Sequence, residues 1–210
     1  HQYDRWMRAL LQQDTDASLY LLFQLASTST MGYSTSHALV CAALCHITAT
    51  ELALSADERA SLVYAAMTMN IGMTALQDEL ALQKERPNTE QQAAINSHAA
   101  RGRHMLEQLG VKDALWLDTV ASHHLDNKPP GADIRVWPAV LRLAHTLRTV
   151  DRYAALISPR QSRPGGSASD SAKAITAAQD EVSHALVRVV GLTPPGTFVR
   201  LETGEVAVVL

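Results

Sequence analysis

Apolar residues recur at helical spacing through most of this 210-residue chain, with polar residues between them. A hydrophobic period close to 3.6 residues predicts helices that each bury one face against a common core. The segment 17–26 is apolar on nearly every side, which predicts a helix that is buried or packed against a partner. The full set of predicted helices covers residues 17–26, 37–50, 55–70, 89–105, 113–125, 138–157 and 170–190.

Local signals set the ends of these helices. Ser55 with Glu58, and Thr89 with Gln92, have the spacing of a capping box, in which two side chains bond free N–H groups of the first turn. The segment 127–131, Asn-Lys-Pro-Pro-Gly, cannot continue a helix because its prolines lack N–H donors. A loop is therefore predicted directly after the helical stretch that contains His123-His124.

The last part of the chain changes character. Residues 158–171 are rich in Pro, Gly and Ser, which predicts a mobile loop. Residues 197–201 and 205–209 are apolar runs around a Thr-Gly turn, which predicts a β-hairpin. The fold class predicted from these patterns is an all-α bundle with a small C-terminal β-hairpin. We divide it into an N-terminal helical segment at 1–30, acting as a linker or in dimerisation, and one domain at 31–210.

Composition and charge narrow the classes of function. Hydrophobic residues make up 47% of the chain and mean hydropathy is −0.05, which is typical of a globular domain. The net charge of −3 shows no basic excess, so nucleic acid is not a predicted partner. No apolar run approaches the roughly 18 residues of a membrane span, and no signal peptide is evident. The predicted location is cytoplasmic, without membrane association.

Two cysteines, Cys41 and Cys45, lie one helical turn apart, and His37 lies one turn before them. A His-Cys-Cys stripe on one rigid helix supplies only part of the tetrahedron that structural zinc requires. We predict small buried thiols on a face directed at the core. Four further histidines without a ligand-spaced carboxylate are predicted to lie at the surface or to bond locally: His46, His104, His145 and His184.

Polar residues that bind metals occur on several successive helical segments, in the order His37, His98, His123-His124 and Asp151. The order and spacing of the surrounding stretches resemble the HD-GYP family, a branch of the HD-domain metal-dependent phosphohydrolases. The resemblance covers about residues 33–210. It is carried by His37 and by the stretches 65–73 (AAMTMNIGM), 96–102 (NSHAARG), 120–124 (VASHH), 150–158 (VDRYAALIS) and 194–201 (PPGTFVRL).

The resemblance implies an HD-domain helical bundle with a centre of two or three iron or manganese ions that hydrolyses cyclic di-GMP. Such chemistry uses several His and carboxylate ligands to hold the cations a few ångströms apart. Five residues match ligand positions of the family: His37, His98, His123, His124 and Asp151. Four positions are altered, namely Tyr33, Met69, Asn70 and Met73.

Each altered position removes part of that chemistry. Asn70 lacks the charge of the aspartate that bridges two metals, and Met69 offers a thioether in place of an imidazole. Tyr33 replaces a glutamate and Met73 a lysine. The loop 125–131 also lacks the Gly-Tyr-Pro triplet. We therefore predict that both hydrolysis and recognition of cyclic di-GMP are impaired.

Three functions remain open at the level of sequence. The first is a degenerate HD-GYP-type module for signalling or interaction, with a protein partner, an upstream sensory domain or a second copy of the chain. The second is a residual metal-dependent phosphohydrolase with one metal on His98, His123 and His124. The third is a nucleotide-binding receptor without turnover. The metal is either one divalent ion, iron, manganese or zinc, or none, and His37 and Asp151 either join it or hydrogen-bond each other.

Overall fold

The structure, a computed structural model, describes residues 2–28, 32–125 and 133–209. The predicted loop at 127–131 lies outside them. The helices are α1 (Gln2–Gln13), α2 (Thr15–Thr28), α3 (Tyr33–Glu51), α4 (Ala56–Thr68), α5 (Thr74–Leu82), α6 (Thr89–Gln108), α7 (Ala114–Ser122), α8 (Ala139–Ile157), α9 (Ala168–Thr176) and α10 (Glu181–Val190). Short 3₁₀ turns lie at Ile71–Met73 and Ile134–Val136, and the strands are β1 (Phe198–Arg200) and β2 (Val206–Val208). The predicted all-α bundle with a C-terminal hairpin is confirmed.

The core is organised around α3, which contacts α2, α4, α8 and α10. Its small residues allow close approach, since Ala42, Ala43 and Ala49 are completely buried. Leu62 of α4 and Leu147 of α8 are also fully buried in the same cluster. Burial of such side chains contributes about 1.5–3 kcal/mol each, so these three helices form the rigid frame that carries the polar residues.

The capping box at Ser55 is confirmed, with Glu58 N–H donating to Ser55 Oγ (3.2 Å) and Ser55 N–H donating to Glu58 Oε2 (3.1 Å). The box predicted at Thr89 with Gln92 is wrong by one residue. It is formed by Asn88 with Gln91 instead, with bonds of 2.8 Å and 3.0 Å. Asparagine is at least as strong an N-cap as threonine, and the two overlapping patterns differ only in which residue takes that position.

The single helix predicted at 170–190 is wrong, because the structure divides this segment into α9 and α10. Gln179 between them has a left-handed backbone (φ 50°), which an α-helix does not accommodate. Asp180 then accepts a hydrogen bond from Ser183 N–H (2.9 Å) and starts α10 as its N-cap. The apolar period continued across the break, so it gave no sign of the interruption.

The segment after α8 is a loop as far as residue 167, and α9 begins at Ala168, three residues before the end of the predicted loop. Gly166 N–H donates to Leu156 O (2.8 Å), and Gln161 N–H donates to Ala81 O (2.9 Å). These bonds hold the loop against α8 and α5. The hairpin is also as predicted, with Val199 opposite Ala207 in an antiparallel pair.

The N-terminal helices leave an apolar outer face. Leu19 of α2 is buried in the main core. On the other side, Trp6, Leu10 and Leu21 are 71%, 51% and 63% exposed and line a groove of about 270 Å³. Pairing of this segment with a second copy or another domain, and its boundary at residue 30, stay predictions. Within the described ranges, every helix falls short of the length and apolarity that crossing a membrane requires.

The 3₁₀ turn at Ile71–Met73 packs directly against α6. A Cβ atom added at Gly72 would lie 2.6 Å from the carbonyl oxygen of His98 and 2.9 Å from the amide nitrogen of Gly102. Both contacts are with backbone atoms, which cannot turn aside as a flexible side chain does. Gly72 therefore sets how closely the turn approaches the part of α6 that carries His98.

Substitution of Gly72 by alanine is expected to lower the free energy of unfolding by about 1–3 kcal/mol, because the new methyl group overpacks this contact. Gly102→Ala is the matched control on the opposite side. Its Cβ would meet Ile71 Cγ2 at an ordinary 3.4 Å, and alanine raises helix propensity by up to about 1 kcal/mol. Urea unfolding measures both variants, and equal stability of the two would contradict the expected clash.

Candidate metal centre

Three histidines meet where α6 packs against the end of α7. His98 lies in the middle of α6, His123 is the C-terminal cap of α7, and His124 follows it. His98 and His123 are buried, with 1% and 0% exposure, whereas His124 is exposed. One ring nitrogen of each lies within 4.8 Å of the other two. The fold thus brings together three histidines that lie on two separate helices and that match ligand positions in the resemblance.

The Nε2 atoms of these histidines converge. His98 Nε2 is 3.3 Å from His123 Nε2, and His124 Nε2 is 3.2 Å from His98 Nε2. Nitrogens about 2.0–2.1 Å from a tetrahedral zinc ion lie about 3.3–3.4 Å from one another, by the geometry of a tetrahedron. The observed spacings therefore suit a cation held between the rings.

Backbone carbonyl groups fix the tautomers of the two buried rings. His98 Nδ1 donates to Ile95 O (2.5 Å), and His123 Nδ1 donates to Val120 O (2.6 Å). A carbonyl oxygen only accepts, so the proton of each neutral ring is on Nδ1 and Nε2 holds a lone pair. Metal-binding histidines are commonly oriented in this way. Two lone pairs facing each other at 3.3 Å are repulsive unless a positive charge lies between them.

The protonation states also favour ligation. Burial, together with the neighbouring His124, lowers the pKa of His123 to about 4. Burial also lowers the pKa of His124, although Asp151 acts in the opposite direction. Both rings are therefore neutral at pH 7, which is the form that binds metal ions. The residues present fit one divalent cation on three imidazoles with a further position open, as in mononuclear sites.

His37 and Asp151 form a second polar group. His37 Nε2 donates to Asp151 Oδ1 (2.8 Å), and these two residues and Cys41 also have ligand atoms within 4.8 Å of one another, so their binding of a metal stays a prediction. Cys41 Sγ lies 3.5 Å from the same nitrogen. Burial raises the pKa of the Cys41 thiol well above its ordinary value, so the free thiol is protonated at pH 7. The predicted buried thiols are confirmed, since Cys41 and Cys45 are both buried and free.

Tyr33 covers this second group. Its ring stacks on His37, with centroids 5.4 Å apart and planes inclined by 11°, and the residue is 2% exposed. Its hydroxyl oxygen accepts a hydrogen bond from Arg160 Nη2 (2.8 Å). Burial raises the pKa of the Tyr33 phenol, so it is uncharged at pH 7. The position that the resemblance assigns to a glutamate thus holds a neutral aromatic ring over the His37 imidazole.

Asp151 connects the two groups electrostatically. Burial raises the pKa of its carboxyl group, but the hydrogen bond and charge of His37, together with His123 and His124, bring it below its ordinary value. Asp151 is therefore anionic at pH 7 and close enough to the two histidines to interact with them. A carboxylate in this place supports a positive charge among the three imidazoles.

The remaining altered positions lie at or beside the 3₁₀ turn Ile71–Met73. Met69 is 1% exposed and belongs to the main hydrophobic cluster. Asn70 precedes the 3₁₀ turn, where its backbone oxygen accepts from the Thr74 hydroxyl (3.2 Å) and the residue lines a cleft. Met73 ends that turn and lies partly exposed. The structure brings His98, His123 and His124 together without a carboxylate at position 70.

Several hydrogen bonds between residues far apart in the chain could not be predicted from the sequence. His145 Nε2 lies 3.0 Å from Asp180 Oδ2, although the two residues are 35 positions apart. The predicted local bonding holds for His104, which bonds Gln108 one turn along α6, while His46 is 8% exposed and not a surface residue. The Arg160 contact with Tyr33 spans 127 positions. Such pairs have no fixed spacing, so only the packing of the helices reveals them.

Comparison with known proteins adds no assignment: no family model and no curated protein matches this chain. Membership of the HD-GYP family therefore stays a prediction that rests on the stretches around His98, His123, His124 and Asp151.

Proposed function

We propose that this chain is a degenerate HD-GYP-type module that binds one divalent cation and serves in signalling or interaction, with impaired hydrolysis of cyclic di-GMP. The observation that carries the proposal is the convergence of three Nε2 atoms, two of them fixed as lone-pair donors by Ile95 O and Val120 O. Borderline cations that prefer imidazole, zinc or iron above all, suit this donor set better than magnesium or calcium.

A second cation is disfavoured here, although His37, Cys41 and Asp151 also have ligand atoms within 4.8 Å of one another. Two cations a few ångströms apart require a bridging carboxylate, and Asn70 is neutral in that position. The other ligand candidate, His37, is already bonded to Asp151 and covered by Tyr33. Without charge compensation the second cation would be repelled by the first, so a mononuclear site is the reading that the geometry favours.

A residual phosphohydrolase is the second candidate, favoured by the exposure of His124. A bound divalent cation would supply Lewis acidity toward a phosphoryl oxygen. The chain itself would contribute the orientation of His98 and His123, and the negative charge of Asp151 beside them. His124 opens this arrangement to solvent, so a small phosphoester can reach it more readily than a large cyclic dinucleotide.

Metal content tests the proposal. Protein purified without a chelator, or dialysed against zinc, is expected to hold one equivalent by elemental analysis. At a zinc concentration 100 times the Kd, binding stabilises the fold by about 2.7 kcal/mol. For a chain of this size that corresponds to a Tm higher by roughly 5–10 °C than in the chelated protein.

Activity separates the two candidates. The zinc- or iron-loaded protein is expected to leave cyclic di-GMP intact, while cleavage of p-nitrophenyl phosphate would favour the residual phosphohydrolase. Two or more metals per chain together with turnover of cyclic di-GMP would overturn the proposal. A chain that takes up no zinc, iron or manganese under any of these conditions would also overturn it.

A further inference from the structure

A pocket of about 240 Å³ lies where α8 packs against the end of α9 and the start of α10. Sites for drug-sized molecules commonly have volumes of about 300–1,000 Å³, so this pocket suits a smaller ligand. One wall is formed by a single face of α8, which contributes His145, Arg148 and Arg152. The opposite wall is formed by Ile175, Ala178 and Asp180.

The two arginines of this pocket are neighbours on the surface of α8, because residues four apart lie on the same face of a helix. Like charges at this spacing repel each other. Arg152 is exposed, and its side chain forms no hydrogen bond or ion pair with any residue that the structure describes. An anion bound between the two guanidinium groups would remove their repulsion and supply Arg152 with a partner.

The acidic residues nearby are held by other groups. Asp180 Oδ1 accepts a hydrogen bond from Ser183 N–H (2.9 Å), and Asp180 Oδ2 lies 3.0 Å from His145 Nε2. Asp151, which follows on α8, is bonded to His37 (2.8 Å). With two arginines against one aspartate, the described lining carries a net positive charge, so the pocket attracts an anion.

The type of anion follows from the donors. A guanidinium group presents a planar fork of N–H donors that matches the oxygen atoms of carboxylates and phosphates. Two such groups offer more donors and more charge than a carboxylate, with one charge and two oxygens, can use. A phosphoryl group carries up to two charges and three terminal oxygens, so it can bond to both arginines at once.

We propose that this pocket binds a phosphoryl group between Arg148 and Arg152, either as inorganic phosphate or as the end of a small phosphomonoester. The site lies outside the three-histidine group and requires no metal. It therefore goes beyond the proposed function, and protein treated with a chelator tests it separately.

Titration calorimetry of the chelated protein with inorganic phosphate, phenyl phosphate and acetate, at constant ionic strength, tests the inference. We expect saturable binding of at least one of the two phosphates, roughly tenfold tighter than that of acetate. Arg152→Gln and Arg148→Gln are each expected to weaken this binding roughly tenfold. The control Arg86→Gln removes an exposed guanidinium group between α5 and α6 and is expected to leave the Kd unchanged.

A second pair of variants tests the place of binding without touching the arginines. Ala178 lines the pocket and is exposed, so Ala178→Glu adds a negative charge there without disturbing the core. We expect it to lose phosphate binding, whereas Ala177→Glu adds the same charge at an exposed neighbour outside the lining and should retain it.

The two phosphates distinguish the sources of the ligand. Tighter binding of inorganic phosphate would identify the free ion, and tighter binding of phenyl phosphate would identify a phosphomonoester. No saturable binding of either at millimolar concentration, binding unchanged in Arg152→Gln and Ala178→Glu, or an equal loss in Arg86→Gln would each overturn the inference. None of these results would alter the metal content expected for the three histidines.

Discussion

Replacement of Arg142 by methionine is expected to lower the free energy of unfolding by about 3–5 kcal/mol, since one partner of a largely buried ion pair is lost. Arg142 of α8 donates to Glu58 through Nε (3.1 Å) and through Nη2. The two side chains are 14% and 16% exposed. For a chain of this size the Tm should fall by roughly 6–20 °C.

The size of the effect follows from what Arg142 holds in place. Its Nη1 also donates to the carbonyl oxygens of Arg135 (3.1 Å) and Trp137 (3.0 Å), which fastens the 3₁₀ turn before α8 to the start of α4. Burial raises the pKa of Glu58, but the hydrogen bonds from Arg142 and Ser55 together lower it below its ordinary value. Without Arg142, a partly buried carboxylate and the carbonyl oxygens of this turn lose that donor.

The lowered pKa of Glu58 gives the effect a pH dependence. A carboxyl group whose pKa is lower in the folded state contributes stability above its unfolded pKa, and this contribution is lost as the pH falls through the folded value. Wild type should therefore lose stability on acidification below about pH 4.5, and Arg142→Met should lose less over the same range.

Arg188→Met is the matched control for this prediction. Arg188 pairs with Glu51 at the surface, where the side chains are 53% and 35% exposed. Such pairs contribute about 0–1 kcal/mol, so the same substitution should hardly change the Tm. Thermal unfolding of both variants at pH 7 measures the difference. A similar fall in Tm in the two variants would show that the Arg142–Glu58 pair does not stabilise the fold more than a surface ion pair does.

Sequence periodicity located the longer helices because each buries a continuous apolar face, as α8 does with Leu143, Leu147 and Val150, but it missed α5 at Thr74–Leu82. Periodicity failed where the helix is interrupted but the spacing of apolar residues continues unchanged. The break at Gln179 depends on one left-handed residue followed by a capping aspartate, and both occur within an otherwise helical pattern. Helix ends that depend on a single capping residue therefore differ from the predicted ends. Helices that depend on many buried residues lie where they were predicted.

The candidate metal centre was only partly visible in the sequence. The motif stretches located His98, His123 and His124, but the tautomers depend on carbonyl groups three residues earlier in each helix. The altered residue Tyr33 was predicted to lose a ligand. The structure adds that its ring is supported by Arg160 and covers His37, which no local pattern encodes. The sequence shows that a ligand type is missing at position 33, and only the packing shows that an aromatic ring over His37 takes its place.

Replacement of His124 by alanine is expected to weaken zinc binding by more than 100-fold, because it removes one of three imidazole ligands. Loss of an outer hydrogen-bond partner alone costs about 10- to 100-fold in metal affinity, and loss of a ligand costs more. A 100-fold change corresponds to about 2.7 kcal/mol of binding free energy. His124 is exposed, so its removal should leave the fold intact.

His104→Ala is the control, since this exposed histidine on α6 bonds only to Gln108 among the contacts described for it. Competition with a zinc indicator dye measures the Kd of wild type and both variants, and circular dichroism confirms that each is folded. His98→Ala should abolish binding as well, and its buried position makes His124 the cleaner test. Undiminished zinc affinity in folded His124→Ala would show that the three converging nitrogens are not the metal site.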